Sequence, residues 1–284
     1  PLAPLEQQCL LFLTTWCHAD SLRRLAAASL GQRSFLNGFL PTGGSNKRLL
    51  RAQPRGLVAH WLSGNVPLLG MLTLVQCILA RNANILKVAS TFGNVVPLLL
   101  ESFRDVVVET APGRKVYGND VLSTMMVIYY PHDDLASANV FSQLADVRIA
   151  WGGREAVESV VNLPKNFAAE DIIFGPKLSY MAIGKDILDD DLYSRRIARR
   201  AATDVSVFDQ YACASPHTIF LEKGGQYASP EKFCELLAKE LDKALIRIPK
   251  TPVDAATTSQ ILNTRLRCDL LGKKFWQSTG TDWT

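Results

Sequence analysis

The stretch Gly56–Leu69, Gly-Leu-Val-Ala-His-Trp-Leu-Ser-Gly-Asn-Val-Pro-Leu-Leu, decides the fold. Its apolar start, Gly56 to Leu62, predicts a short buried strand. At Gly64 the apolar run is interrupted by Gly64 and Asn65, which predicts a turn into a helix that runs to Arg81. The apolar run is long enough to resemble a membrane span, but polar residues and this turn divide it into halves that are each too short to cross a bilayer.

Strands and helices alternate along the chain after this stretch. Further predicted strands are Asn84–Val88, Met125–Tyr130, Val147–Trp151, Leu178–Ile183 and His217–Glu222. Further predicted helices are Val95–Phe103, Leu135–Leu144, one starting near Glu155, Asp191–Asp204 and one capped by Ser229-Pro230-Glu231. Strands that alternate with helices predict crossover connections, a mostly parallel sheet and an α/β fold class.

The pattern divides the chain into three parts. Residues 1–50 form a helical segment, with helices predicted at Leu5–Trp16 and Asp20–Ser29. Residues 51–171 form a Rossmann-type, nucleotide-cofactor-binding domain, and residues 172–284 form an α/β catalytic domain. Because Thr281–Thr284 resembles the beginning of a strand, we expect the last domain to be incomplete at its C-terminus.

Composition excludes several classes of protein. The 284 residues are 48% hydrophobic and carry a formal net charge of +4, which gives no strong case for nucleic-acid binding. The six cysteines have no CxxC spacing, and no leader pattern opens the chain, so we expect a reducing, cytoplasmic setting. The four histidines have no metal-ligand spacing, and we predict no metal.

Two residues carry candidate chemistry. Cys213, in Phe208–Pro216 (Phe-Asp-Gln-Tyr-Ala-Cys-Ala-Ser-Pro), is a candidate thiol nucleophile, because a thiolate attacks acyl thioesters at neutral pH. The Asn65 amide is a candidate donor to the oxygen that becomes negative in that attack. The alternatives are that Cys213 is a small buried apolar residue and that Asn65 is a turn or helix-capping residue.

Five patches in register resemble the aldehyde dehydrogenase superfamily, and within it the acyl-CoA reductase (LuxC) family of bacterial bioluminescence. They are Gly64–Leu69, Asn84–Lys87, Ala150–Ala156, Phe174–Lys177 and the Cys213 loop. The resemblance covers residues 51–284, whereas members of the family normally continue well beyond the point where this chain ends. It implies an NADPH-dependent reduction of a long-chain acyl-CoA or other acyl thioester to a fatty aldehyde, with NADH as the alternative cofactor.

The resemblance also implies roles for individual residues. Cys213 forms the acyl-enzyme thioester, and the Asn65 side chain and Cys213 N–H hold the oxyanion. Lys87 contacts the adenosine ribose or a 2′-phosphate, and the backbone at Gly152 and Gly153 faces the pyrophosphate. Ser63 is assigned to the same cofactor site. The alternatives are that Lys87 is a solvated lysine at the end of a strand and that Gly152 and Gly153 only form a turn.

The residue at position 173 departs from the superfamily's pattern and bears on whether the chain oxidises an aldehyde or reduces an acyl thioester. Ile173 occupies the position of the glutamate that activates water in aldehyde oxidation, which favours acyl thioester reduction and leaves the general base unassigned, with Glu170 and Asp171 nearby. The alternatives are a non-catalytic binding subunit of a multienzyme complex and, less favoured, an NAD-dependent aldehyde dehydrogenase. Expected partners are acyl-transferase and synthetase subunits and further copies of the full-length chain. Arg195, Arg196, Arg199 and Arg200 form either a solvated helix face or a site for CoA phosphates.

Overall fold

The computed structural model describes residues 3–31, 36–41, 48–66, 68–90, 94–110 and 113–284; Pro67 of the opening motif lies outside these ranges. The strands are β1 (Leu40–Pro41), β2 (Leu49–Leu50), β3 (Leu57–Trp61), β4 (Ala83–Lys87), β5 (Val107–Thr110), β6 (Arg114–Tyr117), β7 (Met125–Ile128), β8 (Val147–Trp151), β9 (Glu170–Phe174), β10 (Ser179–Ile183) and β11 (Pro216–Leu221). The helices are α1 (Pro4–Trp16), α2 (Ala19–Leu30), α3 (Met71–Leu79), α4 (Val95–Glu101), α5 (Gly118–Leu122), α6 (Leu135–Leu144), α7 (Arg154–Val161), α8 (Lys185–Leu188), α9 (Asp191–Ser206), α10 (Pro230–Arg247) and α11 (Ala255–Leu270), with a 3-10 turn at Val207–Gln210.

Five parallel strands form the main sheet, in the order β7-β4-β3-β8-β9. This confirms the predicted α/β class and parallel sheet. β3 lies at the centre, and its residues 58–61 are all buried, as is typical of a parallel strand covered on both faces. The strand order reverses direction between β3 and β8, which follows the doubly wound pattern of nucleotide-binding sheets.

Gly56 and Asp146 join the amino ends of β3 and β8. The Asp146 carboxylate accepts a hydrogen bond of 2.8 Å from the Leu57 N–H. Gly56 has a φ of +122°, and a Cβ at this position would collide with that carboxylate. A glycine is therefore required immediately before the central strand.

Helix α3 is shorter at both ends than the sequence predicted. Leu68, before the helix, has a φ of 61°, and Arg81, after it, has a φ of 64°. A right-handed helix cannot include residues in this left-handed conformation. Arg81 is held in place by a hydrogen bond of 2.7 Å from its guanidinium to the Leu36 carbonyl.

The chain divides into two compact units, which we call the sheet unit (residues 9–176) and the cysteine unit (residues 1–8 and 177–284). The predicted boundary between residues 171 and 172 falls inside β9, which pairs with β8 along its length. The structure therefore places the division after Pro176, and it groups residues 9–50 with the main sheet. In the cysteine unit, β10 and β11 form a parallel pair packed on α9 and α10 around Leu188, Ala198 and Phe233.

Several elements were not predicted. The hairpin β5–β6 is exposed along both strands, and α11 buries no residue, so neither shows a strong apolar period. The expectation that Thr281–Thr284 begins a strand is wrong for this structure. Ser278 instead closes a turn, because its N–H donates to the Trp283 carbonyl at 3.2 Å and its hydroxyl accepts from the Asp282 N–H at 3.1 Å.

Candidate active site

The carboxyl edge of the main sheet gathers the predicted cofactor residues of the sheet unit. Trp61, the last residue of β3, is paired with Lys87 on β4 and with Ala150 on β8. Ser63 and Gly152 follow the ends of these central strands. In open parallel sheets, ligands bind outside the carboxyl ends of the strands where the strand order reverses. The crevice between β3 and β8 is that point.

Lys87 ends β4 beside an aromatic ring. Its ammonium lies 5.2 Å from the centroid of the Tyr130 ring, within cation–π distance. The Trp61 indole N–H donates to the Tyr130 hydroxyl at 3.0 Å and fixes that ring. Partial burial lowers the pKa of Lys87 from its ordinary value. Among the described residues no carboxylate forms an ion pair with Lys87, so its charge is available to an anionic ligand.

Gly152 and Gly153 lead from β8 into α7. The Gly152 N–H donates to the Phe174 carbonyl at 3.2 Å, and Trp151 stacks on the Phe174 ring at 4.0 Å between centroids, which holds the strand end. Gly153 is the N-cap of α7, and no side chain caps the helix. A Cβ at Gly153 would have no atom within 4 Å. The first N–H groups of α7 and the open space before them fit a diphosphate.

Ser63 lies on the same edge, but its hydroxyl is turned inward. The Ser63 Oγ is buried and has no hydrogen-bond partner among the described residues. It borders a cavity of about 10 Å³ that is also lined by Val66, Leu68 and Gly70, with room for about one water molecule. Its predicted contact with a cofactor stays a prediction.

Asn65 is exposed in the connection between β3 and α3. Val66 and Leu68 on its C-terminal side are 2% and 6% exposed, so they anchor the connection to the core while the amide remains at the surface. Asn65 does not occupy the N-cap of α3, since that position belongs to Gly70. Its role as an oxyanion donor remains a prediction.

The two carboxylates near Ile173 are both engaged in ion pairs. Asp171 accepts hydrogen bonds of 2.6 and 2.8 Å from Arg148 and one of 2.8 Å from Lys165. The hydrogen bonds from Arg148, followed by the one from Lys165, lower the pKa of Asp171. Glu170 pairs with Arg55. Asp171 is therefore committed to structure and is poorly suited to accept a proton near neutral pH.

Cys213 is exposed in the loop between the 3-10 turn and β11 of the cysteine unit. Its carbonyl accepts a hydrogen bond of 2.5 Å from the Ser179 hydroxyl. The neighbouring Ala212 and Ser215 are 7% and 3% exposed and anchor the loop on both sides. The interpretation of Cys213 as a buried apolar residue is therefore wrong. Asn65 belongs to the sheet unit and Cys213 to the cysteine unit.

Three consecutive residues before this loop adopt the left-handed conformation. Phe208, Asp209 and Gln210 have φ values of 57°, 51° and 65°. Such values cost energy in non-glycine residues and are concentrated at functional sites. Hydrogen bonds support the turn, because Asp209 accepts from the Thr251 N–H at 3.1 Å and the Phe208 N–H donates to Gln8 at 2.9 Å. Sequence reasoning missed this feature, since no glycine marks it.

The other five cysteines differ from Cys213 in exposure. Cys9 is buried, and Cys17, Cys77, Cys234 and Cys268 are partly buried; all six are free thiols. Burial raises the pKa of Cys77 to about 11 and also raises those of Cys17 and Cys234. A raised pKa reduces the fraction of reactive thiolate. Exposure therefore distinguishes Cys213 as the nucleophile candidate.

The remaining candidate groups do not form a second chemical site. His60 is fully buried between Asn84 and Thr73, which are 3.1 and 3.5 Å away, and burial lowers its pKa to about 4. Arg195 pairs with Asp191 at 2.5 Å, while Arg196, Arg199 and Arg200 are exposed. Within the described ranges, no three His, Cys, Asp or Glu side chains cluster as metal ligands. No helix in those ranges is both long and apolar enough for a membrane span.

Comparison with known proteins decides the family. A model of the acyl-CoA reductase (LuxC) family matches residues 2–284. This chain belongs to the LuxC family. The LuxC chain is 33% identical over 241 residues to a long-chain acyl-protein thioester reductase of Photorhabdus luminescens, covering 84% of this chain and 45% of the relative. It is 28% identical over 270 residues to the Vibrio harveyi protein of that name, covering 94% of this chain and 52% of the relative.

Solved structures show the fold of this LuxC chain. An NAD-dependent aldehyde dehydrogenase from Sinorhizobium meliloti superposes with a TM-score of 0.57 at 13% identity, covering 88% of this chain and 47% of the other. A betaine aldehyde dehydrogenase from Staphylococcus aureus, solved with NAD⁺, has a TM-score of 0.55 at 13% identity, covering 83% and 44%. The aldehyde-dehydrogenase-like fold is thereby confirmed. The chain spans about half the length of the curated relatives it matches.

Proposed function

We propose that this LuxC-family chain reduces a long-chain acyl thioester to a fatty aldehyde through an acyl-enzyme on Cys213. The observation that carries the proposal is an exposed thiol, anchored on both sides, in a chain whose family model matches nearly its full length. The relatives named long-chain acyl-protein thioester reductase support the substrate class. An acyl-protein thioester and a long-chain acyl-CoA are the two donors we propose.

Acyl transfer to Cys213 exchanges one thioester for another. The Cys213 thiolate attacks the thioester carbonyl, the bond from the acyl carbon to the Cys213 sulfur forms, and the bond to the donor sulfur breaks. The donor leaves as a thiol that carries the proton released from Cys213. The Asn65 amide and the Cys213 N–H, which makes no hydrogen bond to the described residues, are assigned to the developing oxyanion.

The sheet unit is the proposed site for a nicotinamide dinucleotide, NADPH by our assignment and NADH as the alternative. Lys87 is placed to attract the adenosine ribose or its 2′-phosphate, and α7 with Gly153 is placed to receive the diphosphate. Ser63 is assigned to the same site. When bound, the dinucleotide supplies the hydride that releases the acyl group as aldehyde.

Ile173 on β9 explains why reduction is favoured over hydrolysis. An isoleucine side chain cannot activate water, and the neighbouring Asp171 and Glu170 are paired with cations. We infer that an acyl-enzyme on Cys213 is not hydrolysed by a base at the Ile173 position and persists until reduction. Ile173 therefore disfavours aldehyde oxidation, which requires hydrolysis of the same intermediate.

We also propose a setting for the protein. Six free thiols fit a reducing, cytoplasmic compartment. Acyl-transferase and synthetase subunits are the proposed partners, with self-association of the full-length chain. A non-catalytic role, in which the dinucleotide crevice and the cysteine loop serve binding within a complex, is the second candidate.

The test is intact-mass measurement after incubation with tetradecanoyl-CoA or a tetradecanoylated carrier protein. We expect a tetradecanoyl adduct on the parent chain and on Cys268→Ala, no adduct on Cys213→Ala, and discharge of the adduct by NADPH. An adduct that persists on Cys213→Ala would place the nucleophile elsewhere. A folded parent chain that takes no adduct from either donor, but binds NADPH, would contradict acylation of this chain and support the binding role.

A further inference from the structure

The cysteine unit contains a large cavity that the cysteine chemistry leaves unused. Its volume is about 530 Å³, within the range of pockets that hold small organic ligands. Its apolar wall comes from α10, from α11, from the segment between them and from the C-terminal residues. The apolar lining residues include Leu241, Leu245, Ile248, Val253, Ile261 and Trp283, together with Val205 of α9.

The segment that precedes Cys213 contributes to the lining of this cavity. Asp209, Gln210 and Tyr211 line it, and Tyr211 is two residues before Cys213. Asp209 and Gln210 belong to the left-handed turn at Phe208–Gln210, and Cys213 is exposed. The cavity lining therefore includes residues close in the chain to the proposed acyl-carrying thiol.

A second cavity continues the apolar space. Its volume is about 200 Å³, and it shares Leu241, Trp283 and Thr284 with the first. Leu237, Phe275 and Trp276 complete its apolar lining. Because the two cavities share these three lining residues, they adjoin at Trp283. An unbranched chain can extend from one cavity into the other.

Side-chain hydrogen bonds fix Trp283 and Thr284, which line both cavities. Arg265 of α11 donates to the carbonyls of Gly280 and Trp283 at 2.8 and 2.9 Å and to the Thr284 hydroxyl at 2.8 Å. The Trp283 indole N–H donates to Asp242 at 3.0 Å. These bonds hold the C-terminal residues against α10 and α11, so the wall is a defined part of the fold.

We propose that the two cavities accommodate the alkyl chain of the acyl group that Cys213 receives. The proposal rests on the proposed function. The one lysine of the lining, Lys250, donates to the Asp282 carbonyl at 2.7 Å, and the acidic lining residues Asp209 and Asp282 disfavour an anionic ligand in the interior. An alkyl chain gains affinity with every methylene that it buries against the apolar wall.

The first experiment measures binding by displacement of the fluorescent fatty acid cis-parinaric acid. Leu245→Trp fills the larger cavity, and Ile246→Trp makes the same change at an 83% exposed neighbour on the same helix that does not line it. We expect Leu245→Trp to weaken tetradecanoic acid binding by about tenfold or more, and Ile246→Trp to leave it within about twofold. Circular dichroism tests whether both variants fold. If Leu245→Trp does not fold, the comparison is repeated on α11 with Ile261→Trp and its control Leu262→Trp.

The second experiment separates this proposal from the proposed function. Leu245→Trp should slow acylation of Cys213 by tetradecanoyl-CoA and leave acylation by acetyl-CoA at the parent rate. Folded filled-cavity variants that bind and react like the parent overturn the alkyl-chain site while the acyl-enzyme stands. Cavity-dependent binding of tetradecanoic acid on a chain that forms no Cys213 adduct supports the site and overturns the catalytic function.

Discussion

Arg148 of β8 and Asp171 of β9 are directly opposite each other in the main sheet and form a bidentate ion pair. The Arg148 side chain is fully buried, and its remaining N–H groups donate to the Ser142 hydroxyl at 2.8 Å and to the backbone carbonyls of Val160 and Leu163 at 3.1 Å. The pair therefore ties β8, β9 and the end of α7 together below the crevice.

Asp171→Asn should lower the free energy of unfolding of the sheet unit by about 3 kcal/mol, because it leaves the Arg148 charge buried without its counter-ion. Urea unfolding followed through tryptophan fluorescence, to which Trp61 and Trp151 of this unit contribute, measures the change. Glu170→Gln, which removes an exposed ion pair with Arg55, is the control and should cost less than about 1 kcal/mol. Equal effects of the two variants would contradict the structural role of Asp171.

His60 makes stability depend on pH in a defined window. Burial lowers its pKa to about 4, whereas an unfolded histidine titrates near 6.5. The unfolded chain therefore binds a proton that the folded chain excludes, and this contribution to stability is lost as pH falls from about 6.5 to 4. The loss is on the order of 3 kcal/mol.

Urea unfolding at pH 7, 6, 5 and 4 tests this window. We expect the slope of unfolding free energy against pH to be smaller in His60→Gln than in the parent. His18→Gln, which replaces an exposed histidine of the same unit, should retain the parent slope. A parent slope that persists in His60→Gln would assign the pH dependence to another group.

Lys87→Met should weaken binding of 2′,5′-ADP by about tenfold, since it removes a cation from beside the proposed ribose phosphate. Titration calorimetry with 2′,5′-ADP and with 5′-AMP measures the two affinities. The parent should prefer 2′,5′-ADP, and Lys87→Met should lose that preference. Lys115→Met, on the exposed β6 strand, is the control. Equal affinity of the parent for both probes would select NADH over NADPH.

Asn65→Ala should slow acylation of Cys213 by about a hundredfold, because one donor to the oxyanion is removed. Single-turnover measurements with tetradecanoyl-CoA give the rate. Both Asn65 and the control residue Asn162 are exposed, so truncation of either should preserve the fold. Asn162→Ala should react at the parent rate. A parent rate in Asn65→Ala would exclude Asn65 as the oxyanion donor.

Local signals in the sequence predicted much of the secondary structure. The helix Leu135–Leu144 and the strand Val147–Trp151 were predicted with the observed bounds. The Ser229 cap was also confirmed, because its hydroxyl accepts from the Lys232 N–H at 3.3 Å. Capping and apolar periodicity act over a few residues, and a single sequence contains them completely.

Other features depend on residues far apart in the chain. Helix α3 ends early because Arg81 bonds to Leu36, and Phe208–Gln210 turns left-handed in a region supported by Thr251. The use of Asp171 as a partner of buried Arg148 has no local signal either. Tertiary contacts override local propensity at each of these positions.

The sequence alone determined the family, the α/β class and the candidate residues, because apolar periodicity, turns and short motifs depend on residues that are close together in the chain. The tertiary structure decided the order β7-β4-β3-β8-β9, which brings Ser63, Lys87 and Gly152 to one edge of the sheet. It also decided the exposure of Cys213 and the cavities around Trp283. Strand order, exposure and cavity shape arise from packing between distant segments, which no local pattern records.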